Sequence, residues 1–257
     1  MRSAGVVGLL ESAVRRDTAR PLITAYDDAT GERTELSVTT FANWVAKTAN
    51  LLQDDLAVEP GQRVSLNLPL HWQAAVWLQA CWAVGLHAVS ADSPADIVVV
   101  SYDSGGPGHA DSGAAEHVVA LGLGPMGLPR RDAAAPAGTT CDYDREVHSH
   151  GDRFVAYAPA DADASALTTP EGTFTGAELA DLATAAPSPR AGARLLVTDP
   201  LTSVDLVLGG LLVPLAHEVT AVLCRNLDLD RLPERVTQEN VVAHVGPEHG
   251  SGLPAWP

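Results

Sequence analysis

Basic residues are scarce in this sequence of 257 residues. Sixteen Lys and Arg stand against 32 Asp and Glu, which gives a formal net charge of −16 and a sequence pI near 4.7. Such a chain gains nothing from attraction to phosphate backbones, so we expect no nucleic-acid partner and no binding to an anionic membrane surface. The acidic residues are spread along the chain rather than gathered in a tail, and we attribute their excess to coding composition rather than to function.

Cysteines are also few. Cys81, Cys141 and Cys224 are an odd number at wide spacing, with no CxxC pair and no cysteine–histidine ladder. This pattern excludes a disulfide framework and a zinc finger, and it is typical of a reducing compartment. No apolar run approaches ~20 residues, and the apolar stretch at residues 6–10 is too short for a secretory signal. We therefore expect a cytoplasmic protein without a membrane anchor.

Signatures of familiar active sites are missing as well. There is no G-x-S-x-G elbow, no G-x-G-x-x-G and no Walker lysine. Residues 104–108 form a glycine-rich stretch after a predicted strand, but Pro107 interrupts its backbone donors, so we interpret them as a flexible loop. We predict no catalytic residue.

The residues that are present predict strands and helices in alternation. Residues 22–26 and 33–36 have the pattern of two strands joined by a turn-rich link. Residues 41–52 form the clearest amphipathic helix. Residues 63–68 form a strand, and residues 71–84 form a helix that is apolar nearly all round.

A glycine and a further strand follow that helix. Gly85 is placed to end the helix, and residues 87–90 begin the next strand, which completes a βαβ unit with parallel strands. Residues 96–100 predict another buried strand. Residues 101–153 are rich in Gly, Pro, Asp and Ala, with strand candidates at 117–121 and 143–147.

The last hundred residues repeat the α/β pattern. We therefore predict an α/β fold of mainly parallel sheets covered by helices in three layers. We expect one region over residues 1–250, with subdomains at about 1–155 and 156–250, and a flexible tail at 251–257.

Residues 141–152 contain the densest cluster of possible metal ligands. On a strand, His148 and His150 would face the same side, and Asp152 could join them. An H-x-H pair is also common in solvated loops, and no second ligand group has matching spacing, so we predict no metal site.

Aromatic residues mark the apolar helix. His71 beside Trp72 could point to a pocket, although a helix-start histidine packed against its neighbours is the preferred interpretation. Trp72, Trp77 and Trp82 point in different directions, and we interpret them as buried core rather than as the lining of an acyl pocket.

Three segments carry a family resemblance. Residues 30–52 (TGERTELSVTTFANWVAKTANLL) and 58–89 (VEPGQRVSLNLPLHWQAAVWLQACWAVGLHAV) resemble the opening of acyl-CoA synthetases and related adenylate-forming enzymes. Residues 195–225 (LLVTDPLTSVDLVLGGLLVPLAHEVTAVLCR) are similar to the family's helix ending in Pro-Leu and the strand after it. The resemblance extends over most of the chain and implies the fold of the N-terminal subdomains of those enzymes.

The resemblance places residues 166–176 (ALTTPEGTFTG) where the family has its phosphate-binding loop. The candidate cofactor-binding residues that this implies are Thr168, Thr169, Gly172 and Thr173. The family's loop ends in Pro-Lys-Gly, whereas here Pro170 lacks an N–H, Glu171 adds a negative charge, and no Lys or Arg is present. An ordinary hairpin turn before a capped helix is the favoured alternative.

Adenylation in that family also uses a lysine from a mobile C-terminal domain. The only lysine here is Lys47, which the resemblance places on an early helix outside the active site. The resemblance also puts the adenine pocket, the ribose-binding Asp and the C-terminal domain beyond the end of this sequence. Without cations to stabilise the transferring phosphate, we expect no unaided adenylation and no cofactor, with residual AMP or ATP binding disfavoured.

The resemblance and these departures together give two expectations for function. The first is a degenerate, non-catalytic relative of acyl-CoA synthetases that binds a protein partner or a small ligand. The second is a split adenylate-forming enzyme, an AMP-forming acid-activating ligase completed by a partner chain.

Overall fold

The computed structural model describes residues 5–104, 115–130, 133–187 and 190–256. The helices are α1 (Gly5–Arg16), α2 (Val38–Asn50), α3 (Trp72–Ala83), α4 (Tyr143–Glu146), α5 (Gly176–Ala185), α6 (Val204–Val207), α7 (Val213–Ala216) and α8 (Leu232–Gln238). The strands are β1 (Pro21–Asp27), β2 (Glu32–Ser37), β3 (Arg63–Asn67), β4 (His87–Val89), β5 (Ile97–Ser101), β6 (His117–Leu121), β7 (Cys141–Asp142), β8 (Ser165–Thr169), β9 (Gly172–Thr175), β10 (Arg194–Val197), β11 (Thr220–Arg225) and β12 (Val241–Val245).

The chain divides into two compact units, and neither is continuous in sequence. One comprises Met1–Phe41, Pro69–Ala75 and Ala177–Pro257, and the other comprises Ala42–Leu68 and Val76–Gly176. This division does not follow the single boundary predicted near residue 155. The physical reason is strand pairing: β1 near the start of the chain pairs in parallel with β11 near its end.

The first unit contains a five-stranded sheet in the order β12-β10-β11-β1-β2. Only β2 runs antiparallel, as the partner of β1 in the predicted hairpin. The link of that hairpin closes where the Gly31 amide donates to the Asp27 carbonyl at 2.8 Å, and Gly31 has a φ of +76° that favours glycine. The α6 segment continues through a π-helical turn, Leu208–Leu212, into α7.

The second unit contains a seven-stranded sheet in the order β7-β6-β5-β3-β4-β8-β9. Its strands are parallel except for β9, which folds back on β8. The predicted parallel pairing of β3 with β4 is confirmed. Gly85 ends the helix between them, with a φ of +83° and its amide donating to the Trp82 carbonyl at 3.1 Å.

The two sheets confirm the predicted fold class, α/β with mainly parallel sheets and helices. Trp72, Trp77 and Trp82 are each at most 2% exposed, as expected of core residues. One local prediction is wrong, because residues 143–147, a strand candidate, begin with helix α4. The hydroxyl of Tyr143, a fully buried residue, lies 2.7 Å from the Thr48 hydroxyl, a contact that sequence periodicity does not reveal.

Two further predictions concern the ends of segments. Within the predicted tail, the His244 amide donates to the Pro254 carbonyl at 3.0 Å and the Trp256 amide donates to the His244 carbonyl at 2.7 Å, so this part runs beside β12. Of the glycine-rich stretch at 104–108, residues 105–108 lie outside the described residues. Within the described ranges, no helix has both the length and the apolarity needed to cross a bilayer.

Candidate functional site

The four candidate cofactor-binding residues lie together on the β8–β9 hairpin. Thr168 pairs with Thr173 and Thr169 pairs with Gly172, so the antiparallel ladder runs up to the turn itself. Only Pro170 and Glu171 remain between the strands. Proline has no N–H to donate, and Glu171 adds a carboxylate, so the turn has one backbone donor fewer and one negative charge more than its position requires for a polyphosphate.

The hydroxyls of Thr168 and Thr173 on this hairpin are already hydrogen-bonded to one another, and that of Thr168 also to β4. The Thr168 hydroxyl lies 2.9 Å from the Thr173 hydroxyl and 2.8 Å from His87 Nε2. Ser90 donates to the Thr168 carbonyl at 3.3 Å. Burial lowers the pKa of His87, and the charge of Arg63 lowers it further, so this imidazole is neutral at pH 7.

Thr169 and Gly172 differ from the two threonines in that network. The Thr169 hydroxyl is buried and has no hydrogen-bond partner among the described residues. Gly172 has a φ of +149°, and a Cβ added there would meet open space. Its requirement for glycine therefore comes from the backbone conformation of the turn rather than from a close neighbour.

The single lysine is bound within the second unit. Lys47 Nζ donates to the His150 carbonyl at 2.6 Å and forms an ion pair with Asp152 at 2.9 Å. Its ammonium therefore stabilises a loop rather than standing ready for a phosphate.

The two histidines of the H-x-H motif point to different partners. The segment Val147–Ser149 is a 3-10 turn instead of the strand that would align them. His148 Nε2 lies 3.1 Å from the Gly127 carbonyl, and His150 Nε2 lies 3.0 Å from Asp55 Oδ2. Across the described ranges there is no group of three or more His, Cys, Asp or Glu that could hold a metal ion.

His71 precedes helix α3 and is 6% exposed. Its Nδ1 accepts a hydrogen bond from the Gln73 amide at 3.3 Å, and its ring lies 5.3 Å from the Trp72 ring. Burial lowers the pKa of His71 to about 3, with Arg225 adding to the effect, so the ring is neutral. The adjoining pocket, which Tyr26 also lines, measures about 10 Å³, room for one water.

A further polar cluster lies at the carboxyl ends of β5, β6 and β7, and sequence reasoning missed it. Asp144 is fully buried, its Oδ2 accepts from the Gly122 amide at 2.9 Å, and its Oδ1 has no partner among the described residues. Beside it, Tyr102 donates to Asp142 Oδ1 at 2.5 Å. The signal that could have revealed this cluster is the position of its residues at the ends of predicted parallel strands, because such strands bring the residues that follow them to one edge of the sheet.

The electrostatics of this cluster favour a neutral acid. Burial raises the pKa of Asp144 to about 7, the Gly122 amide opposes that rise, Asp142 adds to it and Arg130 again opposes it. In the same unit, Arg130 and Arg145 line an open hollow of about 550 Å³. Both guanidiniums have acidic partners, since Arg130 pairs with Asp103 at 2.9 Å and Arg145 pairs with Asp142 at 3.1 Å.

Solved structures with the same fold define the class. The anthranilate CoA ligase AuaEII in complex with anthranoyl-AMP is 13% identical with a TM-score of 0.73, and the match covers 93% of this chain and 49% of that chain. A fatty acyl CoA synthetase from Mycobacterium tuberculosis is 14% identical with a TM-score of 0.66, covering 94% and 49%. The inhibitor-bound N-terminal domain of FACL13 from M. tuberculosis is 13% identical with a TM-score of 0.71, covering 93% and 62%. The fold is that of the N-terminal part of adenylate-forming acyl- and aryl-CoA ligases, and the chain spans about half the length of the first two.

Sequence comparison defines the family more narrowly. No family model matches the chain. A "TIGR03089 family protein" from M. tuberculosis (strain ATCC 25618 / H37Rv) is 38% identical over 238 residues, which covers 91% of this chain and 94% of that protein. The chain belongs to the TIGR03089 family.

Proposed function

We propose that this chain does not form acyl-adenylates by itself and acts as a non-catalytic binding module. Its partner is another protein or a small ligand. The proposal combines a fold shared with adenylate-forming enzymes and the residue types at 166–176, the position where the sequence resemblance puts the phosphate loop of those enzymes.

The closed β8–β9 hairpin is the observation that carries the proposal. Binding a polyphosphate needs several unpaired backbone donors and a nearby cation. This hairpin pairs its strands up to Thr169 and Gly172, and the turn between them consists of Pro170 and Glu171. A carboxylate a few ångströms from a triphosphate repels it, and no Lys or Arg lies in residues 166–176 to compensate.

The position of Lys47 supports the same conclusion. Its ammonium is held by the His150 carbonyl and the Asp152 carboxylate. Releasing it for catalysis would leave a partly buried carbonyl and a carboxylate without their cation. Lys47 is therefore not available to stabilise a transferring phosphate.

Isothermal titration with Mg-ATP tests this part of the proposal. We expect no saturable heat up to about 1 mM ATP. A Kd above that concentration corresponds to a binding free energy of less than about 4 kcal/mol. The variant Glu171→Lys measures how much of the exclusion is due to that carboxylate, and Glu234→Lys, an exposed glutamate on α8, controls for the change in net charge. Saturable binding to the unmodified protein at micromolar ATP would contradict the proposal.

The binding role has its own test. Thermal-shift screening with small carboxylic acids and nucleotides, together with affinity capture from the native host, should identify one saturable partner. If neither experiment yields a partner that binds the purified chain reversibly, the binding role is refuted.

The second candidate is a split adenylate-forming enzyme completed by a partner chain. The observation that favours it is the fold, which the chain shares with two ligases over 49% of their length. In this case ATP–pyrophosphate exchange in a native lysate should fall when the protein is removed and recover when it is added back. An exchange rate that does not change when the protein is removed or added back would refute the split-enzyme hypothesis.

The remaining expectations follow the same physical lines. We propose that the protein needs no nucleotide cofactor and binds no nucleic acid, given a net charge of −16. Its three cysteines are free and buried, which supports a reducing, cytoplasmic location.

A further inference from the structure

Residues 151–157, which bend at Asp152 and at Tyr157, are attached along one edge to the end of α2 and to the π-helical turn after it, Leu51–Asp55. The Asn50 side-chain amide donates to the Gly151 carbonyl at 3.0 Å and to the Arg153 carbonyl at 2.9 Å. The Gln53 side chain continues the series, donating to the Val155 carbonyl at 3.3 Å and accepting from the Tyr157 amide at 2.9 Å. The contacts fall at every second residue, which is the repeat of a β-strand.

The opposite edge of the same segment is open. In an extended strand, alternate residues direct their N–H and C=O groups to opposite edges. The backbones of Phe154 and Ala156, which belong to the second edge, have no hydrogen bond to any of the described residues. The segment therefore offers unpaired donors and acceptors of the kind that recruit another strand.

One face of the segment also projects side chains into solvent. Val155 is 80% exposed and Tyr157 is 83% exposed, and Arg153 on the same face is exposed too. The Arg153 guanidinium has no ion-pair or hydrogen-bond partner among the described residues, whereas the Tyr157 hydroxyl donates to Asp54 at 2.8 Å. An exposed valine and tyrosine beside an open backbone edge are costly unless something covers them.

We propose that residues 153–157 pair with the same residues of a second copy of this chain, antiparallel, about a two-fold axis at Val155. This partner goes beyond the binding role proposed above and does not depend on it. In this register Phe154 of one copy lies opposite Ala156 of the other, and each such pair exchanges both N–H···O bonds. Both open residues are thereby satisfied.

Charge complementarity is the reason to choose a second copy as the occupant. The same register places Arg153 opposite Tyr157 of the second copy, where a guanidinium meets an aromatic ring that is hydrogen-bonded to Asp54. The two-fold axis makes this contact twice. In a chain of net charge −16, an unpaired arginine aimed at an acidic site on another copy offsets part of the repulsion between copies.

The test exploits the symmetry of the centre. The two Val155 residues would face each other with Cα atoms about 4.5 Å apart, so Val155→Asp places two carboxylates together and Val155→Lys places two ammoniums together. Sedimentation velocity over a range of concentrations, at about 0.5 M salt to screen the net charge, should show a dimer for the unmodified chain. We expect each variant to raise the dimer Kd by about tenfold or more.

An equimolar mixture of the two variants then provides the decisive comparison. Opposite charges face each other in the mixed dimer, so association should return toward that of the unmodified chain. Leu229→Asp, which changes an equally apolar residue that is 59% exposed in the other unit, should leave the Kd unchanged. Because Val155 is mostly exposed, near-UV circular dichroism should show all of these variants folded.

Three results would overturn the proposal. The first is an unmodified chain that stays monomeric at every concentration. The second is a dimer that both variants leave intact, which would place the interface elsewhere. The third is an effect of only one of the two charges, which would indicate a partner other than a second copy of this chain.

Discussion

Replacing the buried carboxyl of Asp144 by an amide should change how stability depends on pH. Burial raises the pKa of Asp144 to about 7 from an ordinary value of 3.8. The folded protein therefore holds a proton on this group over a pH range in which the unfolded chain has lost it. By linkage, the group costs no stability below pH 3.8, costs progressively more as the pH rises toward 7, and costs a constant amount above that.

The magnitude follows from the pKa. Each pH unit between those limits costs about 1.36 kcal/mol, so between pH ~5.5 and pH ~7 the unmodified protein should lose about 2 kcal/mol through this group. Asp144→Asn keeps an oxygen to accept from the Gly122 amide, which now lies 2.9 Å from Oδ2, and it carries no charge to desolvate. The stability of the variant relative to the unmodified protein should therefore rise by about 2 kcal/mol over that range.

Urea unfolding at several pH values between about 5.5 and 8.5 measures this difference and stays above the sequence pI of 4.7. Asp181→Asn, which removes an exposed carboxylate on α5, controls for the change in net charge. If the unfolding free energies of Asp144→Asn and the unmodified protein differ by a constant amount across this range, the carboxyl does not titrate near neutrality and the reasoning fails.

Three other predictions follow from packing and burial. A Cβ at Gly122 would lie 2.5 Å from Asp144 Oδ2, so Gly122→Ala should lower the free energy of unfolding by about 1–3 kcal/mol. A Cβ at Gly151 would have nothing within 4 Å, so the control Gly151→Ala should be nearly neutral. Equal urea midpoints for the two variants would refute this prediction. Changing Glu239, which is 6% exposed and paired with Arg33 at 3.1 Å, to Gln should cost about 1–3 kcal/mol, because the half-exposed Arg33 keeps its contact with water; a loss under about 0.5 kcal/mol would contradict this. Burial raises the pKa values of all three cysteines. Iodoacetamide should therefore label none of them in the folded protein and all three in urea. Rapid labelling of the folded protein would contradict this prediction, because it would show that the thiols are accessible.

Much of the framework could be predicted because local signals and the fold agree. The β1–β2 hairpin follows from two alternating segments and a link closed by Gly31. The end of α3 follows from Gly85, whose positive φ is the conformation that glycine favours at such a position. The parallel pairing of β3 with β4 follows from the length of the helix between them.

The parts that were missed depend on contacts between residues distant in sequence. Residues 143–147 have a strand-like pattern, yet Tyr143 begins helix α4. Its hydroxyl is hydrogen-bonded to that of Thr48, which lies 95 positions earlier in the sequence. Asp144 belongs to an acidic run that has the composition of a solvated loop, and only the arrangement of β6 and β7 buries it against Gly122. No property of the local sequence distinguishes this buried carboxyl from the partly exposed carboxyls of Asp142 and Glu146.

The β8–β9 hairpin shows what a family resemblance can and cannot predict. The resemblance located the segment, and the residue types at Pro170 and Glu171 favoured an ordinary hairpin turn, which the strand pairing shows. The occupation of the Thr168 hydroxyl by His87 was not predictable, because the two residues lie 81 positions apart. Whether the four candidate residues bind a nucleotide stays a prediction for experiment.

Acid-dependent ATP–pyrophosphate exchange by the purified chain tests the central claim most directly. Exchange requires the chain to bind ATP, activate a carboxylate and release pyrophosphate reversibly. The sequence resemblance puts the phosphate loop at the Pro170–Glu171 turn, and Lys47 is paired with Asp152. We therefore expect no exchange above the protein-free blank for any of a panel of aryl and fatty acids. Exchange that depends on one of these acids and saturates with ATP would contradict the claim that this chain does not adenylate by itself.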